Sequence, residues 1–351
     1  MKRTETYSVK VGNIYIGHDN SLKIQSMATY KTSNIDEVVK QINELTKLGC
    51  DLMRVSILDE EDAASIYEIK KRISIPLVGD IHFNPYLAIL AMNNGIDKIR
   101  INPGNISIDS LNYIIKSAFS NHVAIRIGVN SGSLDQKTLV KFNNIICAEA
   151  MIDLLDRYLL PFQKEDFSSL ILSLKSSSPL LSIKAYRLAS QKYPYPLHLG
   201  ITEAGDSYNG IIRSTVGLTP LLLEGIGDTL RISLTSDPKE EIKAAKHLLH
   251  EVGLYENMPT LISCPTCGRT EVNLKPLVNK VSSYLETINK PIKVAIMGCI
   301  VNGPGEAKNV DIGLAGGKNK YLLFKNGKPF KSIDEKDAYN ALIKEINKLI
   351  N

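Results

Sequence analysis

Cys264-Pro-Thr-Cys267 and Cys299 put three thiols in the last third of this 351-residue chain, and Glu306 follows within Asn302-Gly-Pro-Gly-Glu306. Three soft sulfur donors suit an iron-sulfur cluster or zinc, whereas a carboxylate in fourth place is a harder ligand that a substrate displaces easily. The combination reads as a reactive metal rather than a structural one. Structural zinc calls for a fourth Cys or His, yet all six histidines lie at or before His250, and Cys50 and Cys147 fall far upstream. The donor inventory therefore favours the cluster. Cys50 and Cys147 read as buried packing.

Composition sets the frame for these residues. At 44% hydrophobic and 23% charged the chain reads as a soluble globular protein with room for two domains, taken here as 1–255 and 256–351. Five cysteines are too sparse for a secreted disulfide scaffold. The first residues lack the apolar core of a signal peptide, and no uncharged apolar run reaches the ~18 residues of a membrane span. The expectation is a cytoplasmic protein with no membrane partner. A net charge of +5 is met by solvated lysines such as Lys318, Lys320 and Lys328.

From residue 20 to about 250, short β-branched runs alternate with amphipathic segments, the pattern of parallel strands joined by helical crossovers. Eight runs stand out: 22–27, 52–57, 76–80, 98–101, 124–129, 170–175, 197–201 and 229–234. Helices are expected near 35–48, 60–72, 85–94, 108–119, 136–158, 180–191, 207–224 and 238–252. Eight such units predict a closed (β/α)8 barrel of the TIM type. Alternation along each strand then sorts the side chains. Arg54, Arg100 with Asn102, Arg126 with Asn130, Lys175 and Arg231 fall on the lumen face, opposite the apolar set that meets the helices.

Five cations converging from five strands exceed the acids nearby, Asp80 and Glu203, and an unpaired buried cation costs several kcal/mol. The missing charge must come from an anionic ligand, and the guanidinium fork suits phosphate oxygens. Asp80-Ile-His82 and Thr202-Glu203-Ala-Gly205 add polar groups at the carboxyl-end rim, where barrels of this type carry their active sites.

The last hundred residues predict a small α/β domain. Strands are expected at 260–263, 292–297, 310–314 and 321–324, helices at 271–287 and 334–349, and a turn at Asn326-Gly327. Cys264 and Cys299 each leave a strand end, and Gly298, Gly303 and Gly305 supply the tight backbone that wraps a metal centre.

Seven ordered motifs, Ile24-Gln-Ser-Met27, Gly79-Asp-Ile-His-Phe83, Arg100-Ile-Asn-Pro-Gly-Asn105, Arg126-Ile-Gly-Val-Asn130, Gly200-Ile-Thr-Glu-Ala-Gly205, Cys264-Pro-Thr-Cys-Gly-Arg269 and Met297-Gly-Cys-Ile-Val-Asn-Gly-Pro-Gly-Glu306, span nearly the whole chain. Together they resemble the 4-hydroxy-3-methylbut-2-enyl diphosphate synthases of the non-mevalonate isoprenoid pathway. The resemblance implies an oxidoreductase that opens 2-C-methyl-D-erythritol 2,4-cyclodiphosphate with loss of water. It implies a [4Fe-4S] cluster on Cys264, Cys267, Cys299 and Glu306, electrons from reduced flavodoxin or ferredoxin, and a homodimer whose cluster domain closes over the partner's barrel. The substrate set would be Arg54, Asp80, His82, Arg100, Asn102, Arg126, Asn130, Lys175 and Arg231, with Glu203 as proton donor and Asn302 orienting the bound oxygen. The chain departs from the family at Gly79, at Ala28 and in the serines after Lys175, and it lacks the extra domain of plant forms. A barrel of pterin-synthase type and a zinc-stabilised nucleic-acid-binding protein are the competing readings; the second finds little basic or aromatic patterning around the cysteines.

Overall fold

The computed structural model describes residues 5–299 and 309–350, and the chain divides into two compact units between Val252 and Gly253. The first opens with a hairpin, β1 (Val9–Val11) and β2 (Ile14–Ile16), which the sequence pattern had not flagged. Eight barrel strands follow: β3 (Lys23–Met27), β4 (Leu52–Ile57), β5 (Leu77–Ile81), β6 (Lys98–Ile101), β7 (Ala124–Asn130), β8 (Leu170–Lys175), β9 (His198–Leu199) and β10 (Thr229–Leu230). Each pairs parallel with its neighbour, in the order β8-β7-β6-β5-β4-β3-β10-β9. A parallel bridge between Leu172 and Leu197 joins the two ends of that order and closes the barrel.

Helices α1 (Ile35–Lys47), α2 (Glu60–Lys70), α3 (Pro85–Asn93), α4 (Leu111–Asn121), α5 (Gln136–Lys141), α6 (Ala148–Lys164), α7 (Pro179–Lys192) and α8 (Ser207–Leu223) form the crossovers, and α9 (Pro238–Glu251) follows the last barrel strand. Several start where local chemistry dictates. Asn84, Ser178 and Asp237 cap α3, α7 and α9 with their side chains, each ahead of a proline in the first turn, a position where the missing N–H is no loss. The single helix expected over 136–158 is instead two. Asn143 and Asn144 take left-handed backbone, φ 53° and 59°, a conformation asparagine tolerates, and the helix restarts at Ala148.

The hairpin explains how the barrel ends. Val9, Val11 and Ile16 pack with Leu52, Val78, Ala124 and Ile171, the first inward residues of four strands. This makes one end of the lumen a dry floor, so the polar inward residues farther along the strands face the carboxyl end.

The second unit is a five-stranded sheet, β11 (Thr260–Ser263), β12 (Lys293–Met297), β13 (Ile312–Gly317), β14 (Lys320–Lys325) and β15 (Lys328–Asp334), in sequential order. The first three are parallel and the rest antiparallel. Helices α10 (Leu274–Leu285) and α11 (Ala338–Ile350) bury Leu277, Val281, Leu342 and Ile346 against Val294, Ile296, Ile312 and Leu314. Asn326 and Gly327, both at positive φ, make the tight turn between β14 and β15. Strand β15 escaped the sequence reading because Lys328, Pro329 and Lys331 give it no apolar alternation; these are residues that blunt an exposed edge.

Candidate active site and thiol centre

Strand alternation puts Gln25, Arg54, Asp80, Lys98, Arg100, Arg126, Lys175 and His198 on the inward face, and all but Arg54 are buried. Asp80 is shared: Arg100 Nη1 donates to its Oδ1 at 3.1 Å, Arg54 Nε lies 3.8 Å from Oδ2, and His82 Nε2 lies 3.4 Å from the same oxygen. Glu241, reaching in from α9, takes Arg231 at 3.1 Å and also accepts from Ser26 Oγ. Among the described residues, six basic side chains thus meet two carboxylates. Arg54 donates from that same Nε and from Nη2 to the thioether of Met27, at 3.2 and 2.8 Å, an acceptor far weaker than a carboxylate. Among the described residues, Arg100 Nε, Arg126 Nε and Nη1, and His198 Nε2 are buried with no hydrogen-bond partner.

Charge crowding shows in the ionisation of the lumen. Burial, then Arg126 and Arg54, push the Lys98 ammonium well below its usual range; burial and four arginines do the same to Lys175. Burial and its cationic neighbours hold His198 neutral, and burial takes Arg54 down to about 10. Burial, with Arg54 and Arg100, pushes Arg126 well below its usual range as well. A guanidinium keeps its proton in proteins, so this push measures how strongly the lumen favours an incoming negative charge. Burial opposes ionisation of Asp80, yet Arg54, His82 and Arg100 outweigh it and hold the carboxyl far below its normal range.

The inward glycines make room for the long cations. A Cβ on Gly200 would stand 2.7 Å from Lys175 Nζ, and one on Gly128 would stand 3.0 Å from Arg100 Nε.

The carboxyl-end loops carry the other anticipated residues. His82 Nδ1 shares a 2.9 Å hydrogen bond with Asn105 Nδ2, which fixes the ring beside Asp80. Asn102 Oδ1 accepts from Gly104 N and Ser133 Oγ, so this amide ties two loops together at the rim. Asn130 ends β7, level with Lys175 on β8. Glu203 is exposed, on left-handed backbone with φ 53°; Phe83, next to His82, is at 60°. Non-glycine residues held there are strained, and such strain gathers at functional loops.

In the second unit, Cys264 follows β11 and Cys299 follows β12 by one glycine, and these strands are adjacent and parallel, with Ser263 level with Ile296. The two thiol loops therefore leave the same sheet edge side by side. Gly298 N–H donates to Cys264 Sγ at 3.1 Å, the kind of bond that tunes a metal-bound sulfur. Cys267 is exposed, and the backbone N–H of Arg269 favours its thiolate. Among the described residues no three His, Cys, Asp or Glu side chains are drawn together as a metal site; Asn302 and Glu306 lie outside the described residues. Three thiols on neighbouring loops with an N–H aimed at sulfur are a donor set that fits an iron-sulfur cluster. Cys50 is buried and its thiol is pushed up to about 12 by burial.

The sequence pattern put Lys98 on the polar face with Arg100 but outside the site set, and gave no role to Gln25, His198 and Glu241. The alternation that selected Arg100 puts Lys98 on the same face, two residues earlier. Glu241 carried no such signal, since an acid in a first helical turn is ordinary.

A surplus of buried cations at the carboxyl end of a closed barrel, joined to a thiol-bearing α/β unit, defines a barrel enzyme for an anionic small molecule. The GcpE TIM-barrel domain model matches residues 6–246, and the GcpE protein C-terminal domain model matches 260–348. The chain belongs to the GcpE family. Proteins of Ruminiclostridium cellulolyticum (48% identical over 350 residues, 99% of each chain) and Malacoplasma penetrans (47%, 99% of this chain and 95% of that one) are similar end to end. Both bear the name 4-hydroxy-3-methylbut-2-en-1-yl diphosphate synthase (flavodoxin). Among solved structures, N-acetylneuraminic acid synthetase from Leptospira borgpetersenii superposes with TM-score 0.52 at 12% identity, over 80% of this chain and 96% of that one; at that identity it shows the barrel fold alone. Because both family models match in order across both units, the pterin-synthase and zinc-stabilised nucleic-acid readings are set aside. Among the described residues no helix is long and apolar enough to cross a membrane.

Proposed function

We propose that this chain converts 2-C-methyl-D-erythritol 2,4-cyclodiphosphate to (E)-4-hydroxy-3-methylbut-2-enyl diphosphate, in the non-mevalonate route to isoprenoids. Relatives matched along their full length bear the name of that activity. The observation in this molecule that carries the reading is the lumen, where, among the described residues, six basic side chains meet the carboxylates of Asp80 and Glu241 alone. A diphosphate supplies the missing negative charge in a geometry that guanidinium forks match.

The reaction breaks one carbon–oxygen bond of the cyclic diphosphate, leaving a linear diphosphate, and a second at the neighbouring hydroxyl, which departs as water. A carbon–carbon double bond forms, and two electrons are consumed. Arg54, Arg100, Arg126, Lys175 and Arg231 bind the diphosphate; Asp80 and His82 set the arginines and the rim, and Asn102 and Asn130 orient the ligand. Fixing the substrate in this way removes the entropy of encounter from the chemical step. Glu203, on its strained loop, is the candidate donor of the proton that leaves with the hydroxyl, and Asn302 orients the reacting oxygen.

Cys264, Cys267, Cys299 and Glu306 would hold a [4Fe-4S] cluster. When bound, that group supplies single electrons and a Lewis-acidic iron. Reduced flavodoxin, or ferredoxin, is the proposed electron donor, and the flavodoxin in the relatives' names supports the first. A cytoplasmic homodimer completes the proposal.

The test begins with oxygen-free purification, followed by iron, sulfide and zinc per chain and by incubation with the cyclic diphosphate and reduced flavodoxin. Iron and sulfide in equal amounts together with the linear product support the proposal. Stoichiometric zinc without sulfide removes the cluster, and absence of product removes the reaction. Glu306→Ala should leave a labile cluster; full retention of cluster and turnover would show that Glu306 is not the fourth ligand.

A further inference from the structure

Lys98 is the lumen cation that the proposed ligand set leaves unused. It sits on β6 with no exposure, two residues from Arg100 on the same face. Among the described residues its Nζ has one hydrogen bond, to Gln25 Oε1 at 3.4 Å, and no carboxylate within ion-pair distance. The charges that act on it are those of Arg126 from β7 and Arg54 from β4, opposed by the weaker pull of Asp97, with neutral His198 on β9 and Lys175 on β8 beyond. From β3 comes only the Gln25 amide, and from the hairpin side only the apolar floor. Asp97, next to Lys98 in sequence, turns away to Lys70 and to Leu77 N–H. Asp80 is committed to Arg54, Arg100 and His82, and Glu241 to Arg231. Among the described residues Gln25 Nε2, Arg126 Nε and Nη1 and His198 Nε2 are likewise buried without a hydrogen-bond partner.

A buried amine among like charges is more stable without its proton, and it regains the proton when negative charge arrives nearby. We propose that Lys98 is the proton-accepting partner of the anion site. When a polyanion settles on Arg126 and its neighbours, the Lys98 Nζ lone pair takes a proton from solvent, so each anion binds together with a proton taken up inside the barrel. Lys98 is a positioning residue in this role, acting through the charge it adds behind Arg126. The depressed ionisation of Lys98 agrees with the geometry. The proposal rests on the reading of the lumen as a diphosphate site.

The test is calorimetric titration of the oxygen-free holoenzyme with inorganic pyrophosphate at pH 8, in two buffers of different ionisation heat. The dependence of the heat on buffer counts protons, and comparison with Lys98→Met cancels the share that belongs to pyrophosphate itself. The expected result is that K98M takes up about one proton fewer per pyrophosphate, binds it no more than roughly tenfold more weakly, and unfolds at a higher temperature without ligand, because folding no longer has to strip the proton from a buried amine. A merely structural lysine would lower that temperature and leave the proton count alone. Equal proton uptake in both proteins overturns the proposal, as does complete loss of binding in a folded K98M. Lys98→Gln carries the same test if K98M does not fold, and failure of both to fold assigns the amine a structural role instead. Turnover of the cyclic diphosphate, measured in parallel, separates the two readings. Turnover with equal proton uptake removes the Lys98 role alone, whereas Lys98-dependent uptake without turnover removes the reaction and keeps the anion site.

Discussion

Arg100 Nη1 donates to Asp80 Oδ1 at 3.1 Å, while the other oxygen of that carboxylate stands 3.8 Å from Arg54 Nε. One acid therefore spaces two guanidiniums that would otherwise repel. Asp80→Asn leaves both buried charges poorly compensated, and the expected loss of stability is about 3 kcal/mol at pH 7. Because an added anion replaces the lost charge, pyrophosphate should raise the unfolding midpoint of D80N more than that of the parent. Thermal unfolding of both proteins with and without pyrophosphate checks this; equal gains would mean that the carboxylate is not what balances the arginines.

Arg126 presents two buried N–H groups that lack acceptors among the described residues. Arg126→Met fills the space without charge, so the ligand-free barrel should be unchanged or gain about 1 kcal/mol. The same change removes charge-assisted bonds to the ligand, worth about 3 kcal/mol or more, so kcat/KM should fall at least roughly 100-fold. Urea unfolding and steady-state kinetics read the two halves, and a destabilised R126M would indicate that the native guanidinium is already satisfied.

A methyl on Gly200 would come 2.7 Å from Lys175 Nζ and 2.9 Å from the backbone oxygen of Arg231. Gly200→Ala should displace the ammonium and raise KM for the diphosphate about tenfold, with a stability loss of about 1–3 kcal/mol from overpacking. Gly132, which has open space around it, is the control, and Gly132→Ala should leave KM as it is.

Asp135 caps α5 and takes Arg157 through both oxygens at 2.9 Å, which lowers its carboxyl to about 2. A depressed carboxylate contributes stability that is present above its unfolded value near 4 and is lost as pH falls toward its folded value. The pair is partly exposed, so screening reduces the effect to about 1 kcal/mol. Asp135→Asn keeps the cap and should be less stable than the parent by that amount at pH 7, with the difference closing between pH 4 and 2. A gap that widens on acidification contradicts the assignment.

The barrel was legible because its strands alternate two kinds of residue: Lys98-Ile-Arg100-Ile and Arg126-Ile-Gly128-Val-Asn130 announce a polar lumen and an apolar outer face. What stayed hidden had no periodic signal. The three-residue strands β1 and β2 are too short for a pattern to register, Glu241 looked like any acid at a helix start, and Asn143-Asn144 broke a helix that periodicity alone would continue. The thiol loops were readable from spacing, and their adjacency follows from the parallel pairing of β11 with β12. Lys98 was visible in the same alternation as Arg100, but it sits at the start of β6, away from the carboxyl-end rim where a ligand was expected.

The packing of Val9, Val11 and Ile16 against Leu52, Val78, Ala124 and Ile171 makes the lumen a blind well. A molecule held by the arginines has no rear exit, so product must retreat through the mouth by which the next substrate arrives. Turnover is then a queue at a single door, in which every diphosphate, spent or fresh, excludes the others.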